Sequence, residues 1–419
     1  MSKLIRIVLL VLASGVIALA LTLPSFSNQP RQITALDGTK DPIRAGQDKT
    51  FFHLKNLGTD DGASKEISVQ KPVVPALAQE SIEPGEKDLI DSILNASLAR
   101  LHTQFPPGTR PVLRDAHPKA HGLVYAEFIV LDNLPKELRY GVFKTPRTFD
   151  ALIRFSAGNV EVQEDRVPQA AGMAIKLFGV EGEKLLESQK DAKTQDFVMI
   201  NFPTFFVRNL KDYELLHQQM LKGQIEKFFE SRPTELKAIM SMRSQPLFNP
   251  VQIRYWSQTP YLLGPNAIKF SAAPISRSTN RQPKTMGPDF LREVMKKQVG
   301  SEDVYYEFAV QIQADPMTMP VEDPLELWDE MVSPFQKVAI IRIPKQDIDA
   351  NGRVEMAENL AFTPWHSLPE HRPLGSMNRS RLLIYEKVSE FRRKMNNVPR
   401  KEPNQIPIEN NKHTRKNSR

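Results

Sequence analysis

The chain of 419 residues contains no cysteine. This absence excludes disulfide bonds, thiolate ligands for a metal ion and thioether attachment of a cofactor. It does not identify the compartment, because an exported protein can also lack disulfides. The sequence also lacks a His-Glu-x-x-His pattern, the two-histidine helical signature of many zinc enzymes. A zinc centre is therefore not expected.

Prolines are abundant. The 33 prolines predict few long helices and many loops. Hydrophobic residues make up 40% of the chain and charged residues 25%, which is typical of a globular protein with one large domain or two. The net charge is +7, and part of this excess lies in residues 396–419. We interpret that segment as a basic flexible tail, a solvated end and not a nucleic-acid site.

The first residues resemble a targeting segment. Lys3 and Arg6 precede an apolar run from 7 to 23, which Pro24 ends. A positive start followed by such a run predicts that residues 1–24 are a signal peptide or an N-terminal membrane anchor. Both alternatives predict export. A cleaved signal peptide would release the protein into the periplasm or the extracellular space, and an anchor would hold it at the membrane, facing outward. Residues 25–85 are polar and predict a linker or arm.

The rest of the chain has a mixed pattern. Apolar spacing predicts a helix over 84–101 and another over 211–229, the second with Asn209 and Asp212 as an N-terminal cap pair. Predicted strands cover 123–131, 151–156, 172–178, 197–200, 304–313 and 337–343. Most strands follow one another without an intervening helix. This favours an α+β fold with an antiparallel β-barrel core and surrounding helices.

An arginine and a tyrosine near the C-terminus carry the first functional signal. If residues 381–392 are helical, then Arg381, Tyr385 and Arg392 fall within an arc of roughly 40°, at ~100° per residue. A guanidinium beside a phenol stabilises the phenolate. A phenolate is one of the axial ligands that proteins offer to haem iron. The alternative is an ordinary amphipathic helix, in which the tyrosine packs and the arginine reaches into water.

Upstream segments strengthen the haem interpretation. Residues 114–117 read Arg-Asp-Ala-His, and Arg-Phe-Ser follows at 154–156. Residues 196–208 read Asp-Phe-Val-Met-Ile-Asn-Phe-Pro-Thr-Phe-Phe-Val-Arg, and 368–375 read Leu-Pro-Glu-His-Arg-Pro-Leu-Gly. In this order, together with Arg-x-x-x-Tyr, they resemble the haem catalases over residues 105–395, and best the shorter, divergent catalase-related proteins. The resemblance implies a catalase-like haem domain over 86–395.

The resemblance also implies roles. Tyr385 would be the metal ligand, kept ionised by Arg381. His117 would lie on the opposite face of the haem and move a proton on the bound peroxide, with Ser156 orienting it. The propionates of haem b would be bound by Arg114, Arg154 and Arg392. Its macrocycle would pack near Phe205 and Phe206.

One departure from the family pattern affects the catalytic set. The family's distal asparagine aligns with Ile200, and Asn201 lies one residue later. One step along a strand turns the side chain to the other face. Asn201 can therefore take the place of the family's distal asparagine only if a local bulge shifts the register of the strand. A less polar pocket would favour larger, organic peroxides.

These features predict a haem-dependent oxidoreductase acting on hydrogen peroxide or organic hydroperoxides. Two alternatives stay open. One is a fatty-acid hydroperoxide isomerase of the catalase-related type, with a lipid hydroperoxide as substrate. The other is an exported haem-binding protein without turnover. The sequence leaves the oligomeric state open.

Overall fold

The computed structural model describes residues 75–275, 280–350, 352–400, 402–403 and 405–406. The apolar run at 7–23, with its predicted signal peptide or anchor, lies outside these residues. So do residues 25–74 of the predicted arm and 407–419 of the predicted tail. Within the described residues, no helix is both long enough and apolar enough to cross a bilayer.

A closed antiparallel barrel forms the centre of the fold. Its strands are β1 (Ala120–Val130), β2 (Thr148–Ala157), β3 (Ala171–Phe178), β4 (Thr194–Ile200), β5 (Tyr255–Trp256), β6 (Tyr261–Leu263), β7 (Asn266–Pro274), β8 (Val304–Ile312) and β9 (Gln336–Ile343). β5 pairs with both β4 and β7, so eight strands close in the order β1-β2-β3-β4-β5-β7-β8-β9. β6 pairs with β7 outside this ring. The α+β barrel architecture predicted from the sequence is confirmed.

Aromatic side chains fill the barrel. The ring centroid of Phe308 is 5.1 Å from that of Phe128 and 5.1 Å from that of Phe197. The ring centroids of Phe197 and Phe270 are 5.2 Å apart. These residues are buried in one apolar core cluster. A small barrel packed with side chains leaves no room for a large ligand, so a binding site must lie outside it.

Seven α-helices surround the barrel in the part of the chain that the structure describes. They are α1 (Glu86–Gln104), α2 (Leu210–Leu221), α3 (Ile225–Phe229), α4 (Pro233–Arg243), α5 (Phe290–Val299), α6 (Arg353–Asn359) and α7 (Ser376–Asn396). The prediction of one helix over 211–229 is wrong, because the chain turns between α2 and α3 at Gly223, whose φ is 65°. The predicted cap is confirmed: the Asn209 side chain accepts from the Asp212 N–H at 2.9 Å.

All six predicted strands are present, with ends displaced by no more than three residues. β5, β6 and β7 were not predicted. β5 and β6 contain two and three residues, which is too short for a periodic signal. β7 reads Asn-Ala-Ile-Lys-Phe-Ser-Ala-Ala-Pro, and six consecutive residues of it are buried, so it has no alternating pattern that the sequence could show.

Candidate haem site

The site begins on the outer face of three neighbouring strands. In the ladders of β2, β3 and β4, Ser156 lies opposite Gly172, and Gly172 lies opposite Ile200. Directly paired residues share one face of a sheet. Phe155 and Met173, the alternate residues, are in the barrel core. Ser156, Gly172 and Ile200 therefore form one row on the outside of the barrel.

The imidazole of His117 lies over this row. Its Nδ1 is 3.2 Å from the Oγ of Ser156. A Cβ built on Gly172 would be 2.6 Å from the same Nδ1, closer than real atoms approach. The ring therefore fits only because position 172 carries no side chain. Sequence reasoning missed Gly172, although a glycine inside a strand is itself a signal of close approach.

His117 is an uncharged base in this environment. Burial is the main cause that lowers its pKa, to about 4, and the positive charges of Arg154 and Arg114 act in the same direction. At neutral pH the ring is therefore neutral and can accept a proton. Its hydrogen-bond partner Ser156 is buried and fixes the orientation of the ring.

Asn201 follows directly after the end of β4. The β3–β4 ladder has no bulge, so the register shift required by the sequence argument is not present. The Oδ1 of Asn201 accepts from the Ala171 N–H at 2.7 Å, which anchors the amide to β3. Its Nδ2 makes no hydrogen bond with the described residues. Without the bulge, Asn201 does not join the row of Ser156, Gly172 and Ile200, and its role as the distal amide stays a prediction.

Arg114, Arg154 and Arg392 come from separate segments and meet at the C-terminal end of α6. Arg114 donates through Nη2 to three carbonyl oxygens there, at 2.6, 2.9 and 3.0 Å. Arg392 donates through Nη1 to the carbonyl of Glu358 at 2.8 Å. Arg154 lies 3.4 Å from the Glu358 carboxylate. The structure therefore brings together the three arginines that the sequence singled out.

This cluster carries excess positive charge. Glu358 is the single carboxylate that pairs with any of the three arginines within the described chain, and it pairs with Arg154. Burial first, and then their mutual repulsion, lower the pKa of Arg114 and Arg392. The Nε of Arg114 is buried without a hydrogen-bond partner. Such a cluster is stabilised by added carboxylates, and the two propionates of a haem have the required charge.

Arg381 and Tyr385 lie one turn apart on α7. Arg381 has no ion pair with any described residue, and its guanidinium carbon lies 5.7 Å from the ring centroid of Phe205. Burial would lower the pKa of Arg381, but the phenols of Tyr385, Tyr261 and Tyr213 more than offset this and raise it. The guanidinium has no carboxylate partner among the described residues, and the phenols near it are the groups that could supply a compensating negative charge.

Tyr385 is the phenol that is available. Burial raises the pKa of both Tyr213 and Tyr261 to about 12, so these two stay protonated at neutral pH. Tyr385 is 37% exposed, and its hydroxyl makes no hydrogen bond with the described residues. It can therefore bind an external group without losing a protein contact.

Phe205 and Phe206 pack among the helices outside the barrel. Their ring centroids are 4.8 Å apart, and both belong to an apolar cluster that includes residues of α1, α2 and α7. Within the described residues, no group of three or more His, Asp or Glu side chains could hold a bare metal ion. The donor set, with one phenol and several buried arginines, fits an iron porphyrin better than a free ion.

Comparison with known proteins agrees with this architecture. A fungal catalase has a TM-score of 0.55 and 15% identity, covering 77% of this chain and 66% of that one. Catalase A from Saccharomyces cerevisiae has a TM-score of 0.55 and 17% identity, covering 77% and 68%. A bacterial catalase has a TM-score of 0.54 and 16% identity, covering 82% and 69%. The chain has a catalase-like fold.

The likeness is one of fold. No model of a protein family matches the sequence, and no curated protein matches it. The chain spans about two thirds of the length of the catalases it resembles. The roles of individual residues stay predictions.

Proposed function

We propose that the protein is a haem-dependent oxidoreductase that acts on peroxides, with Tyr385 as the ligand of the iron. The observation that carries the proposal is Arg381, a partly buried cation that has no carboxylate partner among the described residues and lies one helical turn before Tyr385 on α7. An anionic phenol oxygen would neutralise it. The catalase-like fold supports the same reaction class.

Each part of the candidate site has a role in this proposal. Arg114, Arg154 and Arg392 would hold the propionates of haem b. The bound haem would supply the redox chemistry that cleaves the O–O bond. His117, neutral at pH 7, would accept the peroxide proton and return it to the leaving oxygen, while Ser156 holds the ring.

The outer row also suggests the kind of peroxide. Ile200 lies on the same face as Ser156 and Gly172, so an apolar side chain flanks the imidazole. This favours a peroxide with an organic substituent over hydrogen peroxide alone. The targeting segment predicted in residues 1–24 supports action outside the cytoplasm.

The test is reconstitution with haemin, followed by absorption spectroscopy and peroxide assays. We expect a high-spin ferric spectrum in the unmodified protein and its loss in Tyr385→Phe. Tyr213→Phe is the matched control, because it removes another buried phenol near Arg381. An unchanged spectrum in Tyr385→Phe would refute the ligand assignment.

The assays separate the remaining alternatives. Turnover should be measured with hydrogen peroxide and with cumene hydroperoxide, with and without an electron donor. Peroxide consumption no faster than that of free haemin, in a protein fully loaded with haem, would favour a haem-binding protein without turnover. Isomerised product from a fatty-acid hydroperoxide without a donor would favour the isomerase.

A further inference from the structure

The segment that follows α7 is tied to the outside of the barrel. We call its described residues, 399–400, 402–403 and 405–406, the C-terminal strap. The strap leads into a part of the chain that is rich in lysine and arginine, yet its point of attachment is an acidic side chain. That side chain is Glu402, and only 9% of it is exposed. A carboxylate with so little access to water requires hydrogen-bond donors from the protein.

Three donors receive the Glu402 carboxylate. Lys176 donates through Nζ to Oε1 at 2.5 Å, and Thr194 donates through Oγ1 to the same oxygen at 2.8 Å. Gln189 donates through Nε2 to Oε2 at 3.1 Å. Lys176 and Thr194 have no exposed surface, and Gln189 is 8% exposed. Both carboxylate oxygens therefore have partners, which come from β3, from β4 and from the segment between them.

A neighbouring histidine determines the direction of the Thr194 hydrogen bond. The Nε2 of His366 lies 2.6 Å from the Oγ1 of Thr194. Burial is the main cause that lowers the pKa of His366, to about 2, so the ring is neutral at pH 7. With its single proton on Nε2, the ring donates to Thr194, whose own proton then points to Glu402. This is the arrangement in which both contacts of the hydroxyl are hydrogen bonds.

The pocket is complete without Glu402. Lys176 also donates through Nζ to the Oδ1 of Asp196 at 2.6 Å, so its charge is already balanced by a buried carboxylate of β4. Asp196 in turn accepts through Oδ2 from the Thr363 N–H at 2.9 Å. Glu402 is therefore a further ligand of a preformed set of donors. The same set joins the barrel to the segment that follows α6.

The strap and the arginine cluster meet at the end of α6. Arg114 donates to three carbonyls there. Arg393 donates through Nη2 to the carbonyl of Asn359 at 3.2 Å and through Nη1 to that of Pro399, in the strap, at 3.0 Å. Ile406 of the strap packs against the apolar cluster that includes the C-terminal end of α6. The strap thus supports the backbone on which the arginine cluster rests.

We propose that the outer face of the barrel carries a carboxylate-binding pocket whose ligand is Glu402 of the chain's own C-terminal strap. The pocket is formed by Lys176, Thr194 and Gln189. The bound strap holds the end of α6, and with it the arginine cluster, in the position needed to bind the propionates, so Glu402 is a positioning residue. The pocket rests on the contacts alone, whereas its effect on haem rests on the proposed function.

The test variant is Glu402→Gln, which keeps the size of the side chain and removes its charge. We expect trypsin to cleave after Arg400 about tenfold faster, as for the loss of a hydrogen bond between charged groups. The increase should appear in the apoprotein as well as in the haem-loaded protein, and mass spectrometry of the products measures it. Transfer of haem to apomyoglobin should also become about tenfold faster.

Glu390→Gln is the matched control. The chemical change is the same, but Glu390 pairs with Lys387 at the exposed surface of α7, at 3.0 Å, and makes no hydrogen bond with the described residues of the strap. Both rates should therefore equal those of the unmodified protein.

A double variant tests whether the pocket and the strap act together. Thr194→Val removes one donor from the pocket and should also accelerate cleavage after Arg400, and Thr194→Ser should restore the unmodified rate. When Thr194→Val is combined with Glu402→Gln, we expect less than the product of the two separate effects, because both changes break the same contact. Glu402→Gln alone still decides the question if Thr194→Val folds poorly.

The pocket would be overturned by cleavage of Glu402→Gln at the unmodified rate, by equal acceleration in Glu390→Gln, or by full multiplication of the effects in the double variant. Faster cleavage with unchanged haem transfer would support the pocket and overturn the positioning role. Failure of the unmodified protein to bind haem would overturn the proposed function, while cleavage of the apoprotein would still decide whether Glu402 holds the strap.

Discussion

At the scale of single residues, Gly172 determines whether His117 can lie against the sheet. An added Cβ would be 2.6 Å from the His117 Nδ1 and 2.9 Å from the Ser156 Oγ. We therefore expect Gly172→Ala to displace the imidazole and to lower peroxide turnover by about 100-fold, the effect of a misplaced group. Haem binding, which the proposal assigns to Tyr385 and the arginine cluster, should persist. Steady-state kinetics and the absorption spectrum of the reconstituted variant measure the two effects.

Gly287→Ala is the control for that variant. A Cβ at Gly287 meets no atom within 4 Å, so the same substitution there should leave turnover unchanged. Normal turnover in Gly172→Ala would show that the contact between His117 and the sheet has no part in the reaction.

Some site residues could be predicted from the sequence, and others could not. His117, Arg154 and Tyr385 lie in short patterns whose residue types and order indicate a haem site. Gly172 does not, because its importance comes from cross-strand pairing with Ser156 and Ile200. Such roles follow from the tertiary structure and leave no local pattern.

At the scale of elements, an ion cluster fixes the start of α7. Arg379 binds three carboxylates: Glu80 at 2.7 Å, Glu86 of α1 at 2.6 Å and Glu322 at 3.0 Å. Glu80 also accepts from the Gly375 N–H at 2.9 Å. Burial alone would raise the pKa of Glu80, but hydrogen bonds from the Gly375 N–H, from Arg372 and from Arg379 more than offset it and lower the pKa below its usual value. The cluster thus joins the end of the predicted arm to the helix that carries Tyr385.

We expect Arg379→Ala to lower the free energy of unfolding by about 2 kcal/mol at pH 7, because three neighbouring carboxylates lose their shared cation. The depressed pKa of Glu80 means that this stabilisation is present above about pH 4.5 and is lost as the pH falls further. Urea unfolding at pH 7 measures the change. Lys87→Ala is the control: Lys87 pairs with Asp91 at the exposed surface of α1, and its loss should have no measurable effect. Equal midpoints for Arg379→Ala and the unmodified protein would contradict the role of the cluster.

At the scale of the whole molecule, strand alternation and the order of elements predicted the barrel, although identity with the catalases is only 15–17%. The closure of the ring could not be predicted. It depends on β5, which contains two residues and pairs with both β4 and β7. The strand that closes the barrel is therefore one of its shortest, and a strand of two residues shows no periodic pattern in the sequence.

The fold also buries most of its described histidines in neutral form. Burial is the main cause that lowers the pKa of five of them: His117 to about 4, His121 to about 3, His366 to about 2, His371 to about 3, and His217. In the unfolded chain these groups return to a pKa near 6.5. Below that pH the unfolded state binds more protons than the folded state, so acid favours unfolding. Buried aspartates partly offset this loss of stability in acid. The main one is Asp196, because burial raises its pKa to about 7.

We therefore expect the protein to lose stability as the pH falls from 7.5 to 5, by about 1.4 kcal/mol per pH unit for each net proton taken up on unfolding. Urea midpoints at pH 7.5, 6.5 and 5.5 measure this slope. His371→Gln should reduce the slope by about one proton, because it removes one buried imidazole while its amide oxygen can still accept from the Val142 N–H, which His371 Nε2 accepts at 2.9 Å. A midpoint that stays constant over this range would mean that the buried histidines do not control the acid stability of the fold.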